Sequence, residues 1–357
     1  MSAQLRVVLD QLAQVVSPDI AWASLDLTGG LIATAPRDCT VGAIVPAGAK
    51  PRIRGLGDVR ALGLQRRELA ASWQLGMAPG VGGGMIHAPS LMAPLVKHDR
   101  VHDMDQTVVT LWDLNAWEAP ETMAKPAVTW YRSMLRRAAK HADAIVVPSH
   151  AFVDRLEAYA RFGDRVRVIA GAAPTGFAAP TDADARRTAV GVPSEYVVIT
   201  GDRVSYESGF RGAVAAGTDA VVLDSPEGAE PAVVEAASAA GLPERRVHVR
   251  GRLDEADRAA VLAGASAYAA TSALSAWPWR AVEAMTLGVP VVAVDDEVHR
   301  DVIADGGALV ADSDIPDAVA DAVAGGNARY RVIAGDRSRA FSWASSAERV
   351  WALHAEL

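Results

Sequence analysis

The residues best suited to chemistry gather in the second half of the chain. Glu283 is the only acid in Val282-Glu283-Ala284-Met285-Thr286-Leu287-Gly288-Val289-Pro290-Val291-Val292-Ala293, which reads as a short helix stopped by Gly288 and turned by Pro290 into a buried strand. A carboxylate at such a turn can accept charge-assisted hydrogen bonds from hydroxyl groups, although a lone helix glutamate more often faces solvent. Earlier, Gly201-Asp202-Arg203-Val204-Ser205-Tyr206-Glu207-Ser208-Gly209 follows an apolar run and offers an anion one cation, Arg203, beside the acids Asp202 and Glu207. Trp112-Asp113 follows another apolar run; the indole cannot ionise or accept a hydrogen bond, so its contribution is stacking. His87, His98, His102, His141 and His150 lack metal-ligand spacing and read as surface or structural residues. Asp295-Asp296-Glu297 reads as a solvated loop before a cation site, and Gly82-Gly83-Gly84 as a flexible surface loop before a phosphate cradle.

These residues must be positioned by alternating strands and helices. Apolar runs at 5–9, 40–45, 108–111, 143–147 and 166–169 suit buried parallel strands, with helices over 127–141 and 151–159. A segment rich in Pro, Gly, Ala and Asp, from Ala173 to Pro193, reads as an interdomain linker. A second alternation follows, with strands at 196–200, 220–223, 247–249, 267–270 and 289–294. Its helices run over 232–240 and 255–262, the latter capped by Asp254, and through Glu283. A final helix over 345–357 shows Val350, Leu353 and Leu357 at helical spacing. Two such α/β domains place ligands at the carboxyl ends of their strands.

Composition narrows the function. With 357 residues the chain is long enough for two cores, and half of it is hydrophobic. A net charge of −8 argues against a nucleic-acid partner, because phosphate backbones demand a basic face. One cysteine, Cys39, excludes an internal disulfide and a cysteine-based zinc site. No apolar run of spanning length appears and the first residues do not read as a signal peptide, so a cytoplasmic location is expected. The basic helix carrying Arg132, Arg136, Arg137 and Lys140 suits an amphipathic element of the first domain, or peripheral contact with an anionic membrane.

The passage around Glu283 closely resembles the donor-site segment of retaining glycosyltransferases of family 4, which have the GT-B fold. In that family the segment ends the pattern Glu-Gly-Phe-Gly-Leu-Pro-x-x-Glu. Here the stretch reads Ser275-Ala276-Trp277-Pro278-Trp279-Arg280-Ala281-Val282-Glu283. Val108 to Pro120, Asp143 to Ser149, and Arg252-Leu253-Asp254 resemble further family segments. The resemblance implies two doubly wound Rossmann-like domains facing a central cleft. Residues 1–174 form the acceptor-side domain, 193–338 the donor-nucleotide domain, and 341–357 a helix packing back on the first.

It also implies roles. Glu283 matches the glutamate that holds the nucleotide ribose, and Ser275 stands where a second glutamate contacts the sugar. Arg203 matches the arginine of the phosphate clamp Gly-Arg-x-x-x-x-Lys-Gly, while Ser208 replaces its lysine. Trp112-Asp113 replaces His-Asp, and Val16 to Trp22 lacks the paired glycines of the family's N-terminal loop. The substrate implied is a nucleoside-diphosphate-sugar, with no cofactor and no metal, and the acceptor a glycan or a lipid or lipid-linked molecule. Four departures in one site lead to the expectation of an eroded donor site and weak donor binding. The chain would then act as a binding or regulatory subunit beside a second glycosyltransferase. An active retaining transferase is the alternative.

Overall fold

A computed structural model describes residues 3–99, 104–201, 205–272, 277–325 and 327–357. The chain order opens with β1 (Ala3–Val8), α1 (Pro18–Ala33), β2 (Cys39–Val45), β3 (Val59–Ala61), α2 (Arg66–Gln74), β4 (Met85–Ala88) and β5 (Gln106–Thr110). It continues through α3 (Asn115–Glu118), α4 (Lys125–His141), β6 (Ala144–Val147), α5 (Ala151–Glu157) and β7 (Val166–Val168). Then come α6 (Ala183–Val190), β8 (Tyr196–Thr200), α7 (Tyr206–Ala216), β9 (Asp219–Val222), α8 (Glu230–Ala239), β10 (Val247–Val249) and α9 (Glu255–Gly264). The remainder is β11 (Ala267–Ala270), α10 (Trp279–Thr286), β12 (Val291–Val294), α11 (Glu297–Val302), β13 (Ala308–Val310), α12 (Ile315–Ala324), α13 (Asn327–Ser338) and α14 (Trp343–Glu356).

Two compact units result: Met1–Ala172 with Ser342–Leu357, and Ala173–Phe341. The first holds a parallel sheet in the order β3-β2-β1-β4-β5-β6-β7. The second holds a parallel sheet in the order β10-β9-β8-β11-β12-β13. Central parallel strands are covered on both faces and so are largely apolar. Val197, Val198, Ile199, Ala220, Val221 and Val222 are fully buried, and Phe210, Ala213 and Val319 pack over them from α7 and α12. In each sheet the strand order reverses at one place, between β1 and β4 in the first unit and between β8 and β11 in the second. Ala270 lies beside Thr200 at the carboxyl end of the second pair. Open α/β sheets bind their ligands at such reversals.

Within the first unit α14 lies along α1. Gly30 permits that approach, because a Cβ there would stand 2.6 Å from the Trp343 carbonyl oxygen. The Trp351 indole donates to Leu31 O at 3.0 Å, and the Ser346 hydroxyl to Ala170 O at 2.7 Å. Ser342 caps α14 by accepting from Ser345 N.

The structure corrects three sequence expectations. Pro18 to Trp22 is the opening of α1 rather than a loop, and Gly30 serves helix packing. The segment expected as a linker contains α6, which joins α9 through Arg186 to Asp257 at 2.8 Å. Gly82-Gly83-Gly84 is tied down: the Arg6 guanidinium donates to the carbonyls of Val81, Gly82 and Gly83, and Asp105 accepts from Gly84 N. Burial of Arg6 against that loop, with Arg60 nearby, lowers its pKa.

Candidate functional site

In the second unit the reversal between β8 and β11 is surrounded by α7, α9 and α10. Helix α10 begins directly after Pro278, whose ring pre-sets the chain at its entry. Its second turn brings Glu283 under α9. There Glu283 is only 2 % exposed and its side chain accepts three guanidinium hydrogen bonds. Arg258, on α9 and 1 % exposed, donates from Nε to Oε2 at 2.9 Å and from its terminal nitrogen to Oε1 at 3.0 Å. Arg280, one helical turn before Glu283, donates to Oε1 at 2.8 Å. The Nε of Arg280 turns the other way, to Asp224 Oδ2 at 2.7 Å.

The result is a chain of alternating charge, Arg258–Glu283–Arg280–Asp224, with each guanidinium paired to a carboxylate. Arg258 is further held by Leu253 O at 3.4 Å and lies 5.6 Å over the Phe177 ring. Asp224, just past β9, has a left-handed backbone with φ +58, uncommon for a residue with a side chain. Tyr268, on β11, is buried beside this network with its hydroxyl on Thr200 Oγ1, and burial raises its pKa. The backbone at Gly201 passes close to Thr271 and Ser205, so that an added Cβ would clash with both hydroxyls, standing 2.7 Å from Ser205 Oγ.

Ser208 lies in the first turn of α7, buried, its hydroxyl donating to Ser205 O at 3.4 Å. Arg203 and Ser275 lie outside the described residues, as do Asp202, Ala276 and His102. Trp277 and Trp279 pack edge to face, and Trp277 also packs against Phe341 with centroids 5.2 Å apart.

Trp112 and Asp113 belong to the first unit, at the carboxyl end of β5. A pocket near the β1–β4 reversal is lined by both, together with Gln11, Arg66, Trp130 and Tyr131. The Trp112 indole donates to Pro89 O at 2.9 Å, and Asp113 Oδ1 accepts from Asn115 N at 3.0 Å. Asp10, immediately beyond β1, is buried and paired to Arg66 Nε at 2.8 Å. Burial raises the pKa of Asp10 against the pull of Arg66. Burial likewise raises that of Asp113, and it pushes the Tyr131 phenol up to about 12.

The remaining candidates have structural duties. His98 bridges both oxygens of Asp143 at 3.0 Å, and His87 is buried in the first unit. Asp296 caps α11 by accepting from Val298 N and His299 N, and the exposed Asp295 pairs with Arg300, so this solvent-facing acidic run supplies a helix cap and a surface ion pair. On α4, Arg132 donates to Ala116 O and Arg137 to Leu95 O, which leaves fewer cations for an outside surface. Among the described residues no group of three or more His, Cys, Asp or Glu is arranged to hold a metal ion, and no helix is long and apolar enough to cross a membrane.

Sequence reasoning missed Arg258, Arg280 and Asp224. Only Arg280 left a local signal, three residues before Glu283 on a helix; the others are 25 and 56 residues from their partners. Asp10, Arg66 and Tyr131 were missed for the same reason.

Residues 221–325 match the family model of glycosyl transferases group 1. That span carries Asp224, Arg258, Arg280 and Glu283. Comparison with curated proteins gives no match. Among solved structures the chain is similar to HepE of Anabaena in complex with UDP and glucose, with 18% identity, a TM-score of 0.65, and 99% of this chain and 100% of that one covered. It is similar to sucrose-phosphate synthase of Thermosynechococcus elongatus, with 17% identity, a TM-score of 0.65, and coverage of 99% and 98%. It also resembles WaaG, a glycosyltransferase involved in lipopolysaccharide biosynthesis, at 12% identity, a TM-score of 0.65, and coverage of 97% and 98%. The fold is that of the GT-B glycosyltransferases.

Proposed function

We propose that this protein is a family-4-like glycosyltransferase homologue of nucleotide-sugar-dependent glycan or glycolipid assembly whose donor site has lost catalysis. It serves as a binding or regulatory subunit beside an active transferase, in the cytoplasm or at the inner face of the membrane. One observation carries this reading. Glu283, the carboxylate assigned by resemblance to the nucleotide ribose, is buried and already accepts three guanidinium hydrogen bonds from Arg258 and Arg280. A carboxylate has about four acceptor positions, so a ribose diol would find one where it needs two. Ser208 supports the same conclusion, since a buried hydroxyl turned onto its own helix supplies no charge to a diphosphate. The group 1 family match over 221–325 favours the alternative, an active retaining transferase that takes its sugar from a nucleoside-diphosphate-sugar.

Isothermal titration of the full chain with UDP-glucose, UDP-N-acetylglucosamine, GDP-mannose and dTDP-glucose separates the two. The proposal expects no heat of binding at up to about 1 mM donor, corresponding to less than roughly 4 kcal/mol of binding free energy. Micromolar affinity for any of these donors refutes it.

A further inference from the structure

The ion-pair chain around Glu283 contains one member whose electrostatic work is already done by another. Arg258 neutralises Glu283 by itself, through two parallel hydrogen bonds in the geometry that suits guanidinium and carboxylate best. Arg280 adds a third bond to the same carboxylate and spends its other edge on Asp224. Asp224 does not need this partner for solvation, because its side chain is 29% exposed. It nevertheless holds a left-handed backbone, the kind of local strain that persists at ligand sites when surrounding contacts enforce it. In the family pattern quoted above a proline, which carries no charge, occupies the position of Arg280.

The Arg280 guanidinium therefore bridges Asp224 Oδ2 and Glu283 Oε1 with N–H donors on two nitrogens that share Cζ. A vicinal diol presents two O–H donors at similar spacing. Beside the bridge lie Tyr268 and Thr200, at the carboxyl end of the β8–β11 pair, where this sheet is built to receive a ligand.

We propose that Arg280 is an internal occupant of a diol-binding site: its guanidinium takes the place of a ribose between Asp224 and Glu283 and shuts nucleotides out of the second unit. This inference rests on the reading of the donor site as silent and names the residue that silences it. Replacing Arg280 by serine vacates the bridge, leaves Glu283 neutralised by Arg258, and returns Asp224 to water. The fold loses no buried partnerless charge by this change.

The test titrates the full-length wild type, Arg280→Ser and Arg280→Lys with UDP, GDP, ADP and dTDP, with thermal unfolding to verify that each variant is folded. The wild type and Arg280→Lys are expected to be silent. Arg280→Ser is expected to gain at least tenfold affinity for one ribonucleotide, and that affinity should fall at least tenfold for the 2′-deoxy form of the same nucleotide. Millimolar methylguanidinium, which can re-enter the vacated bridge, should compete with the nucleotide and raise the melting temperature of Arg280→Ser. A folded Arg280→Ser that stays silent with every nucleotide overturns this inference and leaves the proposed loss of donor binding standing. Wild-type binding overturns the proposed loss itself, and with it the idea that Arg280 closes the site. If Arg280→Ser proves unfolded, wild-type melting in the presence of UDP together with Arg280→Ala decides, since an unoccupied diol site requires ribonucleotide to stabilise the alanine variant alone.

Discussion

Arg258→Met removes the clamp on Glu283 while keeping an unbranched side chain in its place. In the native protein the Arg258 guanidinium is 1 % exposed, makes two charge-assisted hydrogen bonds to Glu283, bonds Leu253 O and covers the Phe177 ring. Breaking a buried pair on one side costs about 3–5 kcal/mol, because a charge is left in the interior. Arg280 still donates one bond to Glu283, which places the expected loss at the low end, about 3 kcal/mol. For a unit of this size that lowers the melting temperature by roughly 6–12 °C. Thermal and urea unfolding of wild type, Arg258→Met, Glu283→Gln and the double variant provide the assay. Removing both charges relieves the stranded carboxylate, so the double variant should lose less than the sum of the singles by at least about 1 kcal/mol. A loss below about 1 kcal/mol for Arg258→Met, or strict additivity, would show that Glu283 does not depend on this arginine.

Two further perturbations probe the first unit. Gly30→Val should cost about 1–3 kcal/mol, because its Cβ would meet the Trp343 carbonyl at 2.6 Å, whereas Gly29→Ala, with open space around it, should be neutral or gain about 0.5–1 kcal/mol; thermal unfolding of the pair distinguishes them. Acid should weaken the fold through two buried histidines. Burial, with the charge of His354 as a second cause, holds His87 down to about 3, and burial holds His354 down to about 4. Both folded values lie below the unfolded one, so the unfolded chain binds more protons as pH falls from about 6.5 toward 4, and stability drops across that window while staying flat above it. Asp10 and Asp113, raised by burial, act in the opposite direction over the carboxylate range. His354→Gln isolates the histidine contribution: urea midpoints measured at pH 7.5 and pH 5 should differ less than in the wild type.

How much of this was legible depended on the range of the interaction that decided each feature. Buried parallel strands such as Tyr196–Thr200 and Ala144–Val147 are continuous apolar runs, and they stood out in the sequence for that reason. Asp254 could be named as a cap because its partner, Asp257 N, is three residues away. Helix α1 was missed because Trp22, Leu25 and Ile32 are apolar yet lie off its buried face, which blurs the periodicity, and because it contains Gly29-Gly30. The edge strand β3 is exposed and only three residues long, so it is recognised by its pairing with β2.

The candidate site divides in the same way. Composition, the repeated strand–helix alternation and the Gly288-Val289-Pro290 turn were sufficient to place Glu283 at the end of a helix in the second α/β unit, since those features rest on local burial and backbone geometry. Whether that carboxylate is available to a ligand was decided by tertiary structure. The reversal of strand order brings Arg258 from α9 and Asp224 from beyond β9 to the same point as α10, and no pattern in the chain records those pairings. A residue type and its place on a helix are local properties. The partners that occupy a carboxylate's lone pairs are set by where distant strands end.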